Sequence, residues 1–389
     1  MTNSYDSKPK SLLLMIAGAK GAVGSTVAAA VAAMQMNPDV VLPSLITRNS
    51  FVYLGPPESV YMAGWDSQSA KLVDCIKSHG VLADNLWQPI QKHLESTPIL
   101  PSPPQNLDLE SQVAHLTKDI QELKNQHTDV SPVMINLLPA CTRCNLDTVK
   151  HVDDLYAEVN PVNFPDLAYV LAAISSEIPV VNFSPNRLEI PVVVQAAVEN
   201  RIPISGRDGK TGQTYLKVVL ASALKARSLY VDGWYSLNIL GNADGKNLMD
   251  PDRAAGKVAN KTELLDEILG YSVGERYQEP THKVRIDYYP PRGDAKEAWD
   301  VVDFKGLFGL PMSLRLNIQG RDSILAAPMV LDLARWMAAL KMAGYFGSVP
   351  ELGFYFKKPI GDNPPLSFQD QINRLHALEK ECDERCLKL

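Results

Sequence analysis

The stretch Ser11-Leu-Leu-Leu-Met-Ile-Ala-Gly-Ala-Lys-Gly-Ala-Val-Gly-Ser-Thr-Val-Ala-Ala-Ala-Val-Ala-Ala-Met-Gln35 decides the fold class. Its first seven residues, Ser11 to Ala17, are an unbroken apolar run, the pattern of a strand covered on both faces of a parallel sheet. Its last eleven, Ser25 to Gln35, are alanine-rich with high helix propensity. The glycine turn Gly18 to Gly24 lies between them. Strand, glycine turn and helix in this order open a βαβ unit. At such a turn glycines let the backbone approach a pyrophosphate, and the helix N-terminus offers N–H groups. The usual fingerprint has glycine where this chain has Lys20, so a tight βα turn without a ligand is the competing reading. No Gly-Lys-Ser/Thr follows at the spacing of a nucleotide-triphosphate loop.

Outward from this unit, Leu109, Val113, Leu116, Ile120 and Leu123 recur at helical spacing. Val133–Leu138 and Val180–Phe183 read as further strands. Thr97–Pro104 carries too many prolines for a helix or a central strand and is expected to be an exposed connection. From about Tyr215 the texture changes. Tyr230–Leu240 and Val284–Tyr289 alternate apolar and polar residues, which predicts an antiparallel sheet with one covered face. Ala326–Ala343 returns to a helical pattern. Residues 1–10 are expected to form a disordered polar tail.

The chain has 389 residues, enough for two domains or one interrupted domain. Its 38 Lys+Arg against 44 Asp+Glu give a formal charge of −6, which argues against a nucleic-acid binder. No apolar run approaches the length of a bilayer span, so no membrane association is expected. Lys8 and Lys10 precede the first apolar run as in a secretion signal, but Lys20 interrupts it. With an odd number of cysteines, five, the expectation is a reduced, cytoplasmic protein.

Four segments of the second half concentrate chemistry. Ser205–Thr214 (SGRDGKTGQT) is dense in N–H and hydroxyl donors and reads as a phosphate-binding nest or as a solvated polar loop. Asn238–Leu248 contains Asn242-Ala-Asp-Gly, either a hairpin turn or a set of groups suited to sugar hydroxyls. Lys257 and Lys261 stand four apart on a helical pattern. On a surface they repel weakly, whereas inside a cleft one ammonium would become a usable base. Gly293-Asp-Ala-Lys296 and Gly320-Arg-Asp-Ser323 are turns bearing carboxylates. Cys141 and Cys144 form a CxxC without a second pair, a structural thiol pair rather than a zinc site, and no metal site is expected. Cys382 and Cys386 carry no evident chemistry. His282 has no partner readable from the sequence.

The ordered run of GAKGAVGST, GWD (Gly64–Asp66), NFSPN (Asn182–Asn186), SGRDGKTGQT, NILGNADGKNL, the Lys257/Lys261 pair, GDAK and RDSILAAP resembles the myo-inositol-1-phosphate synthase family. The resemblance covers most of the chain. It implies an α/β fold in which an NAD-binding Rossmann-type domain, residues 11–214 plus 325–389, is interrupted by an α+β catalytic and tetramerisation domain, residues 215–324. It also implies a homotetramer that cyclises the sugar phosphate D-glucose 6-phosphate to 1L-myo-inositol 1-phosphate. The reaction runs by oxidation at carbon 5, enolisation, aldol closure and re-reduction, with NAD regenerated.

Carried over by motif, Gly18, Gly21, Gly24 and Ser25 would hold the pyrophosphate, with Asp66 near the adenosine. Ser184, Asp208, Asn242, Asp244, Lys257, Asp294, Asp322 and Ser323 would line the rest of the cofactor site. Thr211, Gly212, Gln213 and Thr214 would receive the substrate phosphate, with Lys261 and Lys296 as charge partners. Lys257, Lys261, Lys296 and Lys357, together with Asp208, Asp244 and Asp322, would form the catalytic set. Lys357 is followed by Lys358, which leaves two registers. Departures are Lys20, Arg207, which would add a cation near the phosphate loop, and Ala243 in place of an amide. They keep open a cyclase or dehydrogenase for another sugar phosphate, or an inactive nucleotide-binding regulator.

Overall fold

The computed structural model describes residues 11–127, 129–141, 146–250 and 264–387. The expected tail, Cys144, Lys257 and Lys261 lie outside these residues, as does the side chain of Asp244.

Among the described residues, the first sheet has seven strands: β1 (Ser11–Ala17), β2 (Val60–Asp66), β3 (Ile99–Pro101), β4 (Val130–Asn136), β5 (Val180–Asn182), β6 (Pro203–Gly206) and β13 (Gly347–Ser348). All pairs are parallel, in the order β13-β6-β5-β4-β1-β2-β3. Strand β1 shows why its sequence is apolar throughout. Leu12, Leu14 and Ile16 pack toward the helices Ala22–Met36 and Asp322–Met342. Leu13, Met15 and Ala17 face the opposite layer, helices Leu109–Asn125, Asp166–Ser175 and Pro191–Glu199. Each large side chain buried this way contributes about 1.5–3 kcal/mol. The five positions Leu109, Val113, Leu116, Ile120 and Leu123 are all buried on that face.

Three expectations need correction. The first helix starts at Ala22, three residues before Ser25, so Gly24 lies inside its first turn. Ile99–Pro101 is not a bare connection but the edge strand β3, a place where proline is tolerated because no further strand needs its N–H. The second sheet, finally, is mixed rather than antiparallel. It consists of β7 (Tyr230–Leu240), β10 (His282–Tyr288), β11 (Ala295–Lys305) and β12 (Pro311–Arg321) in the order β10-β7-β11-β12. β7 runs parallel to β10 and antiparallel to β11. The long connection 241–281, which includes the small ribbon β8 (Glu275–Arg276) and β9 (Glu279–Pro280), lets the chain return in the same direction. One face of this sheet is covered, with Val231, Trp234 and Val302 packed against Val218 and Ala221 of helix Gln213–Ala226 and against Leu264, Leu265 and Ile268.

Strand β12 passes into helix Asp322–Met342 with no intervening loop. By length and composition this helix could cross a bilayer, but 78% of its most apolar window is buried inside the fold, where it crosses the Ala22–Met36 helix.

Candidate active site

The first sheet places β1 beside β4, with β2 and β3 to one side and β5 and β6 to the other. Chain direction across the sheet switches between β1 and β4, and a crevice opens at the carboxyl ends of the strands there. Gly18 follows β1 with φ +83°, and a Cβ on it would stand 3.1 Å from the carbonyl oxygen of Leu137, just beyond β4. A Cβ on Gly24 would stand 2.6 Å from Gly18 O and 2.7 Å from Ala19 O, so the helix must pass this close to the turn without a side chain. Gly21 is the N-cap and supplies no side-chain cap, which leaves the helix N-terminus open to an anion. These features fit a dinucleotide pyrophosphate.

Lys20 is accommodated because its side chain leaves the turn and its Nζ donates to Gln68 O at 2.6 Å. Its backbone N–H donates to Asp66 Oδ2 at 2.8 Å, while Asp66 Oδ1 accepts from Gln68 N at 2.9 Å. Asp66, at the end of β2, therefore ties the glycine turn to the second strand. Ser25 does not line the cleft: it is buried in the helix, with Oγ donating to Ala22 O at 3.2 Å.

The segment after β6 is not a solvated loop, since Asp208, Lys210, Gln213 and Thr214 are each only 2–4% exposed. It is stitched to the Tyr355-Phe-Lys-Lys-Pro359 segment by Lys357 N–H to Asp208 O (2.8 Å), Lys210 N–H to Tyr355 O (2.8 Å) and Arg207 N–H to Lys358 O (2.7 Å). This pairing sends the two lysines in different directions. Lys357 lines the cleft with Nζ donating to Asp208 Oδ1 at 2.6 Å, whereas Lys358 reaches Glu267 at 3.2 Å. Arg207 adds no cation to the cleft, because its guanidinium pairs with Glu189 and does not line the cavity. Helix Gln213–Ala226 begins where the turn ends, capped at Gly212, which sits under Leu325 rather than in the cleft lining.

The second sheet closes the other wall. Lys296, near the start of β11, holds Asp322 Oδ2 at 3.0 Å, and Thr211 Oγ1 donates to Asp322 Oδ1 at 3.1 Å. Asp294 Oδ1 accepts from Asn242 Nδ2 at 3.3 Å and from Ser323 Oγ at 3.1 Å. Burial pushes the Asp294 carboxyl up, opposed by these two hydrogen bonds. Asn242 is not in a hairpin turn: its Oδ1 accepts from Gly245 N at 3.0 Å and caps the short helix Ala243–Asn247, with Ala243 exposed.

These walls enclose a cleft of about 710 Å³. Of the residues expected at the site, it brings together Gly18, Gly21, Gly24, Asp66, Ser184, Asp208, Thr211, Gln213, Thr214, Asn242, Asp294, Lys296, Asp322, Ser323 and Lys357. His282 lies elsewhere, bonded to Lys217.

Two groups of side chains escaped the sequence reading. Asp166 accepts from Asn136 Nδ2 (2.7 Å) and Asn186 Nδ2 (2.8 Å), and Asn182 Nδ2 donates to Asn186 O (2.7 Å). This buried lattice shapes the loops after β4 and β5, so in Asn182–Asn186 the two asparagines are scaffold while Ser184 reaches the cleft. Lys210 Nζ is buried between Gly353 O (3.0 Å) and Gln371 Oε1 (2.7 Å), and burial lowers it to about 7. A lone lysine between glycines gives no signal that it points inward.

The fold and cleft are those of the Rossmann-type α/β class, with a second sheet roofing the crevice. Comparison with known proteins narrows this. The family model described as myo-inositol-1-phosphate synthase matches residues 212–323. Inositol-3-phosphate synthase 1 of Bacteroides thetaiotaomicron is 44% identical over 200 residues, 51% of this chain and 47% of that protein. Inositol-3-phosphate synthase 1 of Oryza sativa subsp. japonica is 30% identical over 313 residues, 73% of this chain and 60% of that protein. The chain thus spans about half to three fifths of these relatives' lengths. The crystal structure of inositol-3-phosphate synthase from Caenorhabditis elegans superposes with a TM-score of 0.83 at 20% identity, covering 96% of this chain and 86% of that one, and shows the shared fold. The family model, both relatives and the superposed structure thus all place their matches in the myo-inositol-1-phosphate synthase family.

Proposed function

We propose that this chain is an isomerase that converts glucose 6-phosphate to inositol 1-phosphate with NAD, working as a cytoplasmic homotetramer. The observation that carries the reading is the meeting in one cleft of the glycine turn with two lysine–carboxylate pairs, Lys357–Asp208 and Lys296–Asp322, beside the start of helix Gln213–Ala226. Gly18, Gly21 and Gly24, backed by Ser25, would hold the pyrophosphate, with Asp66 at the adenosine end. Ser184, Asn242, Asp294 and Ser323 would line the remainder, joined by Asp244 and Lys257. NAD, when bound, supplies the hydride acceptor that returns its hydride within the same turnover.

The chain's own groups do the rest. Thr211–Thr214 and the helix N-terminus seat the phosphate, with Lys296 and Lys261 as countercharges. Asp322 holds Lys296 and Thr211 in register. Lys357 and Lys257 hold or move protons on the sugar, and an ammonium in a dry cleft also stabilises developing negative charge on oxygen. Arg207 bears on none of this, because its charge is matched by Glu189.

Residues 215–324 are proposed as the inserted assembly domain. Support comes from the β11–β12 hairpin, where Leu307, Phe308 and Leu310 are 77%, 88% and 63% exposed at the edge of the second sheet. The test of the activity is incubation with glucose 6-phosphate and NAD, with products identified by NMR. Inositol phosphate without accumulating NADH is expected. Stoichiometric NADH would make the chain a dehydrogenase, and unchanged sugar would leave another substrate or an inactive regulator.

A further inference from the structure

Behind the proposed phosphate seat, and reaching it through Gln213, lies a buried polar cluster. Asp300 of β11 is buried, and its two oxygens accept three hydrogen bonds. Oδ1 takes Trp234 Nε1 (2.7 Å) and Ser236 Oγ (2.5 Å) from β7, and Oδ2 takes Gln213 Nε2 (2.8 Å), from the first residue of helix Gln213–Ala226. The indole N–H and the Gln213 NH2 group both donate here, and a carboxylate, which only accepts, takes all three bonds without any group turning over.

A buried carboxylate this near an anion seat needs a countercharge, and Lys217 supplies it one turn along the same helix. Its Nζ lies 5.3 Å from the centre of the Trp234 ring and 3.1 Å from His282 Nε2. Burial lowers Lys217 to about 8, with Asp300 opposing, so it is chiefly a cation at neutral pH. Burial and then Lys217 lower His282 to about 3, which leaves its ring neutral.

We propose that Asp300 is a positioning residue for the substrate phosphate: it holds the Gln213 side chain from behind and so fixes the first turn of the helix at the sugar-phosphate end of the cleft. This rests on the reading of Thr211–Thr214 as the phosphate seat. A helix N-terminus leaves its first N–H groups for acceptors outside the helix, and those donors serve a phosphate only if that turn is held in place. Asp300→Asn removes the charge, so the link to Gln213 survives only as a neutral amide–amide bond with the Gln213 side chain turned over.

The test is calorimetric binding of inorganic phosphate and of glucose 6-phosphate to the NAD-loaded chain, with steady-state kinetics, for wild type, Asp300→Asn, Gln213→Leu and the double variant. Gln213→Leu leaves Asp300 its Trp234 and Ser236 bonds, so it reports on the link even where Asp300→Asn folds poorly. Each single variant is expected to bind phosphate about tenfold more weakly, the scale of one charge-assisted hydrogen bond, with KM raised in step and, for Asp300→Asn, kcat within about twofold. NAD affinity is expected to be unchanged. The double variant should be no weaker than either single one, because both cut the same link. Phosphate affinity unchanged in Asp300→Asn and Gln213→Leu, losses that multiply in the double variant, or NAD affinity falling in parallel would overturn the proposal alone. A wild-type chain that binds neither ligand would overturn the phosphate seat and the proposal with it.

Discussion

Gly24→Ala tests the glycine turn, because helix propensity and geometry pull in opposite directions there. Gly24 lies in the first turn of helix Ala22–Met36, and alanine in a helix is favoured over glycine by about 1 kcal/mol. Against this, the new Cβ would meet Gly18 O at 2.6 Å, Ala19 O at 2.7 Å and Ala19 C at 2.8 Å, all backbone atoms that cannot rotate away. An ordinary carbon–oxygen approach is about 3.3 Å, so the turn must retreat by about 0.7 Å. Overpacking of this kind costs about 1–3 kcal/mol, which leaves a net loss of stability of about 0–2 kcal/mol. The larger effect falls on the ligand. Misplacing one N–H that serves a phosphate costs about 1.5–3 kcal/mol, or about ten- to a hundredfold in affinity. Titration with NAD by calorimetry, beside thermal melts that read the loss of stability separately, should show Gly24→Ala weakened by about ten- to a hundredfold. Wild-type affinity in Gly24→Ala would refute the assignment of Gly24 to close packing.

Two further measurements follow. The side chains of Lys357 and Asp208 are 9% and 4% exposed, so Lys357→Met takes the cation away from a buried pair and should cost about 1–3 kcal/mol in urea unfolding, with turnover lost; an unchanged midpoint would contradict the pair's burial. Burial lowers Lys210 from 10.5 to about 7, so between those values the unfolded chain holds a proton that the folded chain does not. The group's contribution to stability therefore rises with pH across that window. Relative to Lys210→Met, the wild type should gain up to about 1.4 kcal/mol per pH unit between pH 7 and the usual lysine range, and a pH-independent difference would refute it.

Features that depend on residues near in sequence were legible from the chain alone. The unbroken run Leu12–Ala17 announced a strand covered on both faces, and the spacing from Leu109 to Leu123 announced one buried helical face. What depends on distant partners was not. The parallel pairing of β7 with β10 is decided by the route of the chain through residues 241–281, and alternation in each strand is the same for either direction. The choice of Lys357 over Lys358 depends on the backbone bonds to Asp208 and Arg207, about 150 residues earlier in the chain. Asp300 was invisible because it occupies one position of an alternating strand, and only its three donors, brought in from Gln213, Trp234 and Ser236, distinguish it from a solvated aspartate.

The direct passage from β12 into helix Asp322–Met342 has a mechanical consequence. The second sheet is joined to the first by two chain crossings. At this one, strand becomes helix between Arg321 and Asp322, and the Arg321 guanidinium is staked to Gly80 O and Val81 O, both at 3.2 Å. At the other, helix Gln213–Ala226 reaches β7 through Arg227–Leu229, where Ser228 adopts a left-handed φ of 54°. Deleting a single residue from the first turns of helix Asp322–Met342 would swing Asp322 by about 100° and move it by about 1.5 Å, uncoupling it from Lys296 and Thr211 while leaving every residue of the cleft in the sequence.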